Sequence, residues 1–378
     1  MRNINYHERP ILAFWETTRA CLLSCAHCRA EAMAEPLPGE LSNEEGKQFI
    51  QSLLEFGKPY PVLILTGGDV LMRKDAMELV AYAKSLEIPV AMSPSVTPNL
   101  TLERMQEMKA LGIRMVSISL DGAVAATHEM IRGIPGHFEQ TLQTLRQLVD
   151  LGFHVQVNTA VMRDNANELA AIAKILKTIG VETWEVFFLV HVGRGQNSHE
   201  LSPSECEDVV HFLYDASAYD LVVRTVEGPF FRRIIKWRER DQLNTQVNPE
   251  QVASHYQLGS LYRELATDLV HRLGDATAAP KAQTSQTRDG KGIVFVSYDG
   301  TVYPAGFLPL SLGNIREQNI ATIYRSQPVM KQIRNAEFTG RCALCDYKDL
   351  CGGSRARAFA HSGDPLAEDP ACAYVPTV

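Results

Sequence analysis

CLLSCAHC, residues 21–28, sets three cysteines at a CxxxCxxC spacing directly after the strand-like run ILAFWETT, residues 11–18. Thiolates bind zinc readily, but a structural zinc site takes four ligands, usually as two CxxC-type pairs. The fourth partner within reach is His27, caught between two of the cysteines, where it cannot easily fold back onto the same ion. Three cysteines on one loop suit three corners of a cubane [4Fe-4S] cluster. One iron is then left for a ligand the loop does not supply.

The remaining cysteines are Cys206 and a second tight group, Cys342, Cys345, Cys351 and Cys372. With seven of eight cysteines clustered, metal ligation or redox chemistry in a reducing compartment is expected rather than scattered disulfides. Cys206 sits in SPSECEDVVHFLYDA, which predicts a helix starting at Ser202 with Pro203 in its first turn, and reads as a structural thiol. Composition is that of a globular protein, 45% apolar and 21% charged. A net charge of -7 and a pI near 5.9 give no general attraction to nucleic acid or to an anionic membrane. The N-terminus shows no secretion signal and the chain no apolar run long enough to span a bilayer, so a cytoplasmic location is expected.

From about residue 10 to 192, apolar β-rich runs (ILAFWE, PVLILTG, IPVAMS, RMVSISLDG, HVQVNTAV, TWEVFFLV) alternate with amphipathic helical stretches, several of them stopped by Gly. Six strand–helix units predict an α/β fold with parallel strands and crossover helices, a barrel or part of one. In that architecture chemistry collects at the C-terminal ends of the strands. Polar residues cluster there: Thr17 and Thr18, Thr66 to Asp69, Ser93 and Ser95, Ser117 to Asp121, Asn158 and Thr159, and His191 to Gly195. Three segments are expected: 1–200, 201–290 with helices and a mobile loop (DATAAPKAQTSQTRDGKG), and 291–378, opened by a hairpin turning at Asp299-Gly300.

CLLSCAHC after the first strand and TGGD, residues 66–69, after the second resemble the radical S-adenosylmethionine (SAM) superfamily over roughly residues 10–195. The resemblance implies a partial (β/α)6 TIM-like barrel. It also implies a cluster held by Cys21, Cys25 and Cys28 whose open iron takes SAM, with an electron donor such as flavodoxin or ferredoxin. Gly67 and Gly68 would then let backbone approach the methionyl amino group, with Asp69 standing where Glu is more usual and Val70 where Pro is common. His27 would face the adenine; Ser93, Ser119 and Asp121 would meet the ribose or methionyl group, Asp121 being equally readable as part of an Asp-Gly turn. Arg132 is a candidate for the SAM carboxylate or a surface arginine, and Val192 with the GRG of residues 193–195 a candidate adenine contact.

CALCDYKDLC, residues 342–351, with Cys372 supplies four thiolates, enough for a closed cluster and, on spacing alone, for a zinc site. The resemblance implies a small C-terminal iron–sulfur domain of the SPASM/Twitch type holding one auxiliary [4Fe-4S] cluster, two clusters in all. Ala305 and Arg355 stand where cysteines of a further cluster would be. The tail CGGSRARAFAHSGDPLAEDPAC resembles the haem synthase and haem d1 maturation group, implying oxidative decarboxylation of tetrapyrrole propionates. Arg355 and Arg357 are then candidates for propionates or for fixing the tail, and His191 for an axial iron ligand or a polar barrel-end residue. Two other readings remain: a radical SAM maturase acting on a ribosomally made peptide, weakened by the short stretch before the first strand, and a non-catalytic electron carrier.

Overall fold

The computed structural model describes residues 4–243, 248–276, 278–283 and 287–376. Six strands fall on the expected runs: β1 (Leu12–Glu16), β2 (Val62–Thr66), β3 (Val90–Met92), β4 (Met115–Ser119), β5 (His154–Val161) and β6 (Thr183–Phe188). A seventh, β7 (Val222–Val226), extends them, and all seven neighbours pair in parallel. The hairpin β8 (Ile293–Val296) and β9 (Thr301–Tyr303) forms as expected, followed by β10 (Gly313–Asn314). β8 runs parallel beside β1, so one sheet in the order β10-β9-β8-β1-β2-β3-β4-β5-β6-β7 carries strands from all three expected segments.

Alternation along the strands sets the layers. In β5 and β6, Val155, Val157, Thr159, Trp184 and Val186 are buried under the crossover helices, and the indole N–H of Trp184 donates to Thr159 Oγ1 at 2.9 Å. The intervening Gln156, Asn158, Glu185 and Phe187 are only partly buried and line the other, concave face, where Gln156 Nε2 donates to Asn158 Oδ1 and Glu185 Oε2, each at 2.8 Å. The result is a partial barrel with an apolar outer core and a polar interior.

The expected helix at Ser202 is present as Pro203–Ala216, N-capped by Ser202, with Cys206 buried in the core. Residues 275–292, expected as a mobile loop, are largely built in. Residues 277 and 284–286 lie outside the described residues, but Ala282 bridges Val223 at the edge of β7, and Arg288 and Asp289 are buried under the C-terminal tail. Backbone pairing and two buried charges override a loop-like composition. No helix among the described residues is long and apolar enough to cross a membrane.

Candidate active site

The loop after β1 carries the first three cysteines. Cys21 and Cys25 are buried with Leu23 and Ala32, and Cys28 packs against them. Each sulfur has one or more donors: Leu23 N at 3.4 Å from Cys21 Sγ, with Ser95 Oγ at 3.8 Å; Arg132 Nη1 at 3.5 Å from Cys25; Ala32 N at 3.5 Å from Cys28. Such donors stabilise thiolates and tune a bound cluster. Burial pushes the Cys21 thiol up to about 11.

The TGGD loop after β2 lies flat on this loop. Gly68 N donates to Thr18 O (2.8 Å) and Asp69 N to Ala20 O (2.7 Å); a Cβ at Gly67 would stand 2.7 Å from Thr18 O, and one at Gly68 2.7 Å from Arg19 O. The close approach these glycines permit in the structure is therefore to the cluster loop's own backbone. Asp69, expected to face SAM, is instead 0% exposed, and its carboxylate accepts from Leu71 N, Ser95 N and Thr97 Oγ1 at 3.1, 3.2 and 2.8 Å. It ties the ends of β2 and β3 together and has no free face for a ligand.

Asp121 is buried at the end of β4. Its Oδ1 accepts from Ala160 N (2.8 Å), and its Oδ2 lies 2.6 Å from Arg132 Nη2 and 3.5 Å from His27 Nε2. Burial opposes its charge, yet Arg132 and then the imidazoles hold the carboxyl below its ordinary range. Arg132 is no surface residue: it is 8% exposed and bridges Cys25 to Asp121. His27 is lowered to about 4, by burial first and then by Arg132 and Arg194, and so is neutral at pH 7. Its Nδ1 and Arg132 Nε are buried without hydrogen-bond partners, polar atoms left for a ligand beside the cysteines. Ser119 is half-buried on the concave face, and Ser93 Oγ meets Ser117 Oγ across β3 and β4.

After β6, Val192 packs in an apolar group with Val190, Leu308 and Ala356. The following GRG clamps the cluster loop: Arg194 donates from N to Cys28 O (3.0 Å), from Nε to Cys25 O (2.9 Å) and from Nη1 to Ala32 O (3.1 Å). Sequence reasoning missed a buried relay beside this site: Asp121 N–H donates to His128 Nδ1 (3.1 Å), His128 Nε2 meets His137 Nδ1 (2.8 Å), and His137 Nε2 meets Val96 O (3.0 Å). It also missed Arg29, next to Cys28, whose guanidinium lies 4.5 Å over Phe295, 5.9 Å from the Phe307 ring and 3.2 Å from Glu16 Oε1. Arg19 sits 5.4 Å over Tyr298 and 3.8 Å from Glu16 Oε2. Two partly exposed arginines and an aromatic wall thus adjoin the cluster loop, a grouping that only the fold assembles.

In the second group, Tyr347 N and Gly353 N donate to Cys345 and Cys351 at 3.4 and 3.5 Å, and Arg355 Nη2 lies 3.8 Å from Cys342 Sγ. Burial pushes the Cys351 and Cys372 thiols up to about 11 and about 12. Of the two expectations for Arg355 and Arg357, fixing the tail is the one their contacts match. Arg355 is 0% exposed and spends its donors on the Pro365, Ala367 and Gly353 carbonyls; Arg357 is held by Asp369, Glu200 and Leu189 O. His191, 43% exposed at its side chain, faces Glu200 at 3.7 Å. Among the described residues no three His, Cys, Asp or Glu side chains converge to hold a single metal ion.

Residues 15–176 match the radical SAM superfamily model and residues 288–346 that of the SPASM iron–sulfur cluster-binding domain. Fold and site together define a radical SAM enzyme, which binds SAM and iron–sulfur clusters. The chain is 37% identical over 97% of its length to the AdoMet-dependent heme synthase of Nitratidesulfovibrio vulgaris, covering 92% of it, and 35% identical to that of Methanosarcina barkeri, with 97% of each chain covered. The chain belongs to the radical SAM superfamily, in the branch whose members include these heme synthases. Streptococcus suis SuiB bound to S-adenosylmethionine shares the fold, at a TM-score of 0.68 and 11% identity over 97% of this chain and 78% of SuiB.

Proposed function

We propose that this chain oxidatively decarboxylates propionate side chains of an iron-coproporphyrin to vinyl groups. Bound SAM, reductively cleaved at the cluster, supplies the 5'-deoxyadenosyl radical that takes a hydrogen atom from the propionate β-carbon. The resulting R–CH•–CH2–COO⁻ becomes R–CH=CH2 plus CO2 and one electron, which an acceptor must receive. The observation that carries this reading is the grouping beside Cys28: Arg29 and Arg19, both partly exposed, already pair with the Glu16 carboxylate, the chemistry a propionate would offer, and the partly exposed rings of Phe307 and Tyr298 lie next to them. Similarity to heme synthases over almost the whole chain supports it. In this reading Cys21, Cys25 and Cys28 hold the SAM-binding cluster, and His27 Nδ1 and Arg132 Nε meet SAM. A flavodoxin or ferredoxin supplies the starting electron. Eight free cysteines suit a cytoplasmic location.

The test uses anaerobically reconstituted protein, titrated with iron-coproporphyrin while the Soret band is followed, then given SAM and a reductant. A Soret shift, 5'-deoxyadenosine and loss of CO2 from the porphyrin are expected. Deoxyadenosine without any porphyrin binding would turn the assignment toward a peptide substrate.

A further inference from the structure

Three arginines converge on the backbone around Cys351 without a carboxylate among them. Arg232 donates from Nη1 to Leu350 O (3.0 Å) and from Nη2 to Thr287 O; Arg288 donates from Nη1 to Lys348 O (3.0 Å) and from Nη2 to Ile333 O (3.2 Å); Arg355 donates from Nη1 to Pro365 O (3.0 Å) and Ala367 O (2.6 Å). They are 9%, 5% and 0% exposed. The neighbouring Arg233, Arg341 and Arg357 are paired with Glu207, Glu368 and Asp369, but among the described residues these three form no ion pair. Asp289 accepts from the backbone N–H of Arg355 and acts on the guanidiniums of Arg232 and Arg355 through space, as Asp349 does on Arg288, without forming an ion pair with any of them.

The glycines after Cys351 explain how the charges come so close. Gly352 (φ +75°) and Gly353 (φ +63°) give up the space of a side chain: a Cβ on the first would overlap the Arg288 guanidinium, and one on the second would overlap Arg355 Nη2 and stand 3.3 Å from Cys342 Sγ. Three buried, unpaired guanidiniums are costly unless an anion answers them. Four thiolates and a [4Fe-4S] core carry a net charge of −2 when oxidised and −3 after gaining one electron, so fixed positive charge favours the reduced form.

We infer that Arg232, Arg288 and Arg355 form a positioning shell of fixed charge that raises the reduction potential of the cluster held by Cys342, Cys345, Cys351 and Cys372. This rests on reading that cysteine group as an auxiliary cluster. The test is an EPR-monitored redox titration of full-length, reconstituted protein carrying Cys21→Ala, Cys25→Ala and Cys28→Ala, so that one cluster signal remains. Arg288→Gln keeps donors for the carbonyls and removes the charge; Arg288→Lys keeps the charge. A lower midpoint potential for the Gln variant, with the Lys variant near the parent, is expected. Equal potentials in all three, with iron content intact, would overturn the inference. If Arg288→Gln does not assemble its cluster, Arg232→Gln gives the same readout with the same two outcomes. Absence of any cluster signal in the parent would instead overturn the assignment of the cysteines.

Discussion

The two cysteine groups solve opposite electrostatic problems. At the first, the charge beside the sulfurs is already balanced: Arg132 is shared between Cys25 and the buried Asp121, and Asp69 is satisfied by three donors. What is left over is hydrogen-bonding capacity, at His27 Nδ1 and Arg132 Nε. At the second, the terminal guanidinium nitrogens are spent on carbonyls, Arg288 Nε alone among these three arginines being left over, and the larger surplus is charge, carried by Arg232, Arg288 and Arg355. Burial, and then the like charges of Arg232 and Arg355, even lower Arg288 to about 10. Unsatisfied donors and acceptors call for a polar ligand such as SAM; unsatisfied charge calls for an anion.

Substitutions at each group put this contrast to the test. The largest effect is expected from Cys25→Ala, which abolishes deoxyadenosine formation, whereas Cys345→Ala retains it; loss in both, with the first cluster present by EPR, would erase the division of labour. Asp121→Ala comes next. It strands a buried guanidinium and should lower unfolding free energy by roughly 3–5 kcal/mol in urea titrations. Glu207→Ala, which frees Arg233 beside the second group, should cost less in cluster-loaded protein than in the metal-free form, because an anion remains to answer the charge. Third, Arg29→Ala removes one charge-assisted contact worth about 1.5–3 kcal/mol, so porphyrin affinity should fall roughly 10- to 150-fold while SAM cleavage persists. The smallest effect concerns pH. Burial, then Arg132, lower His128 to about 3 from an ordinary 6.5, so an unfolded chain takes up its proton first. Its contribution is intact above about 6.5 and is lost progressively as pH falls toward about 3. Urea midpoints measured between pH 7 and 5 should drop, with a flatter slope in His128→Gln.

Much of the fold was legible because hydrophobic runs and glycine stops report directly on strands and helices. All six expected strands formed, and the hairpin turned at Asp299-Gly300. β7 went unseen because VVRTV is short and interrupted by Arg224, whose setting comes from Glu185 on the paired strand and from Gln283. For the site, cysteine spacing was informative because ligand geometry constrains it locally. The arginines stayed open for the converse reason: in sequence Arg355 and Arg357 could meet propionates or fix the tail, and the partners that place them in the tail lie at Pro365, Ala367, Asp369, Glu200 and Leu189. Arg29 and Arg288 gave no signal at all, since Phe295 and Gly352 become their neighbours only through the tertiary fold.

The strand that launches the first cysteine loop, β1, has β2 on one side and β8 on the other, in a continuous backbone ladder. The chain leading to the second group leaves from that same ladder, with Arg29 reaching across to Gly306 O at 3.4 Å. The consequence is mechanical: the loop carrying Cys21, Cys25 and Cys28 and the segment leading to Cys342 start from paired strands of one sheet, so neither can shift without pulling on the hydrogen bonds that hold the other.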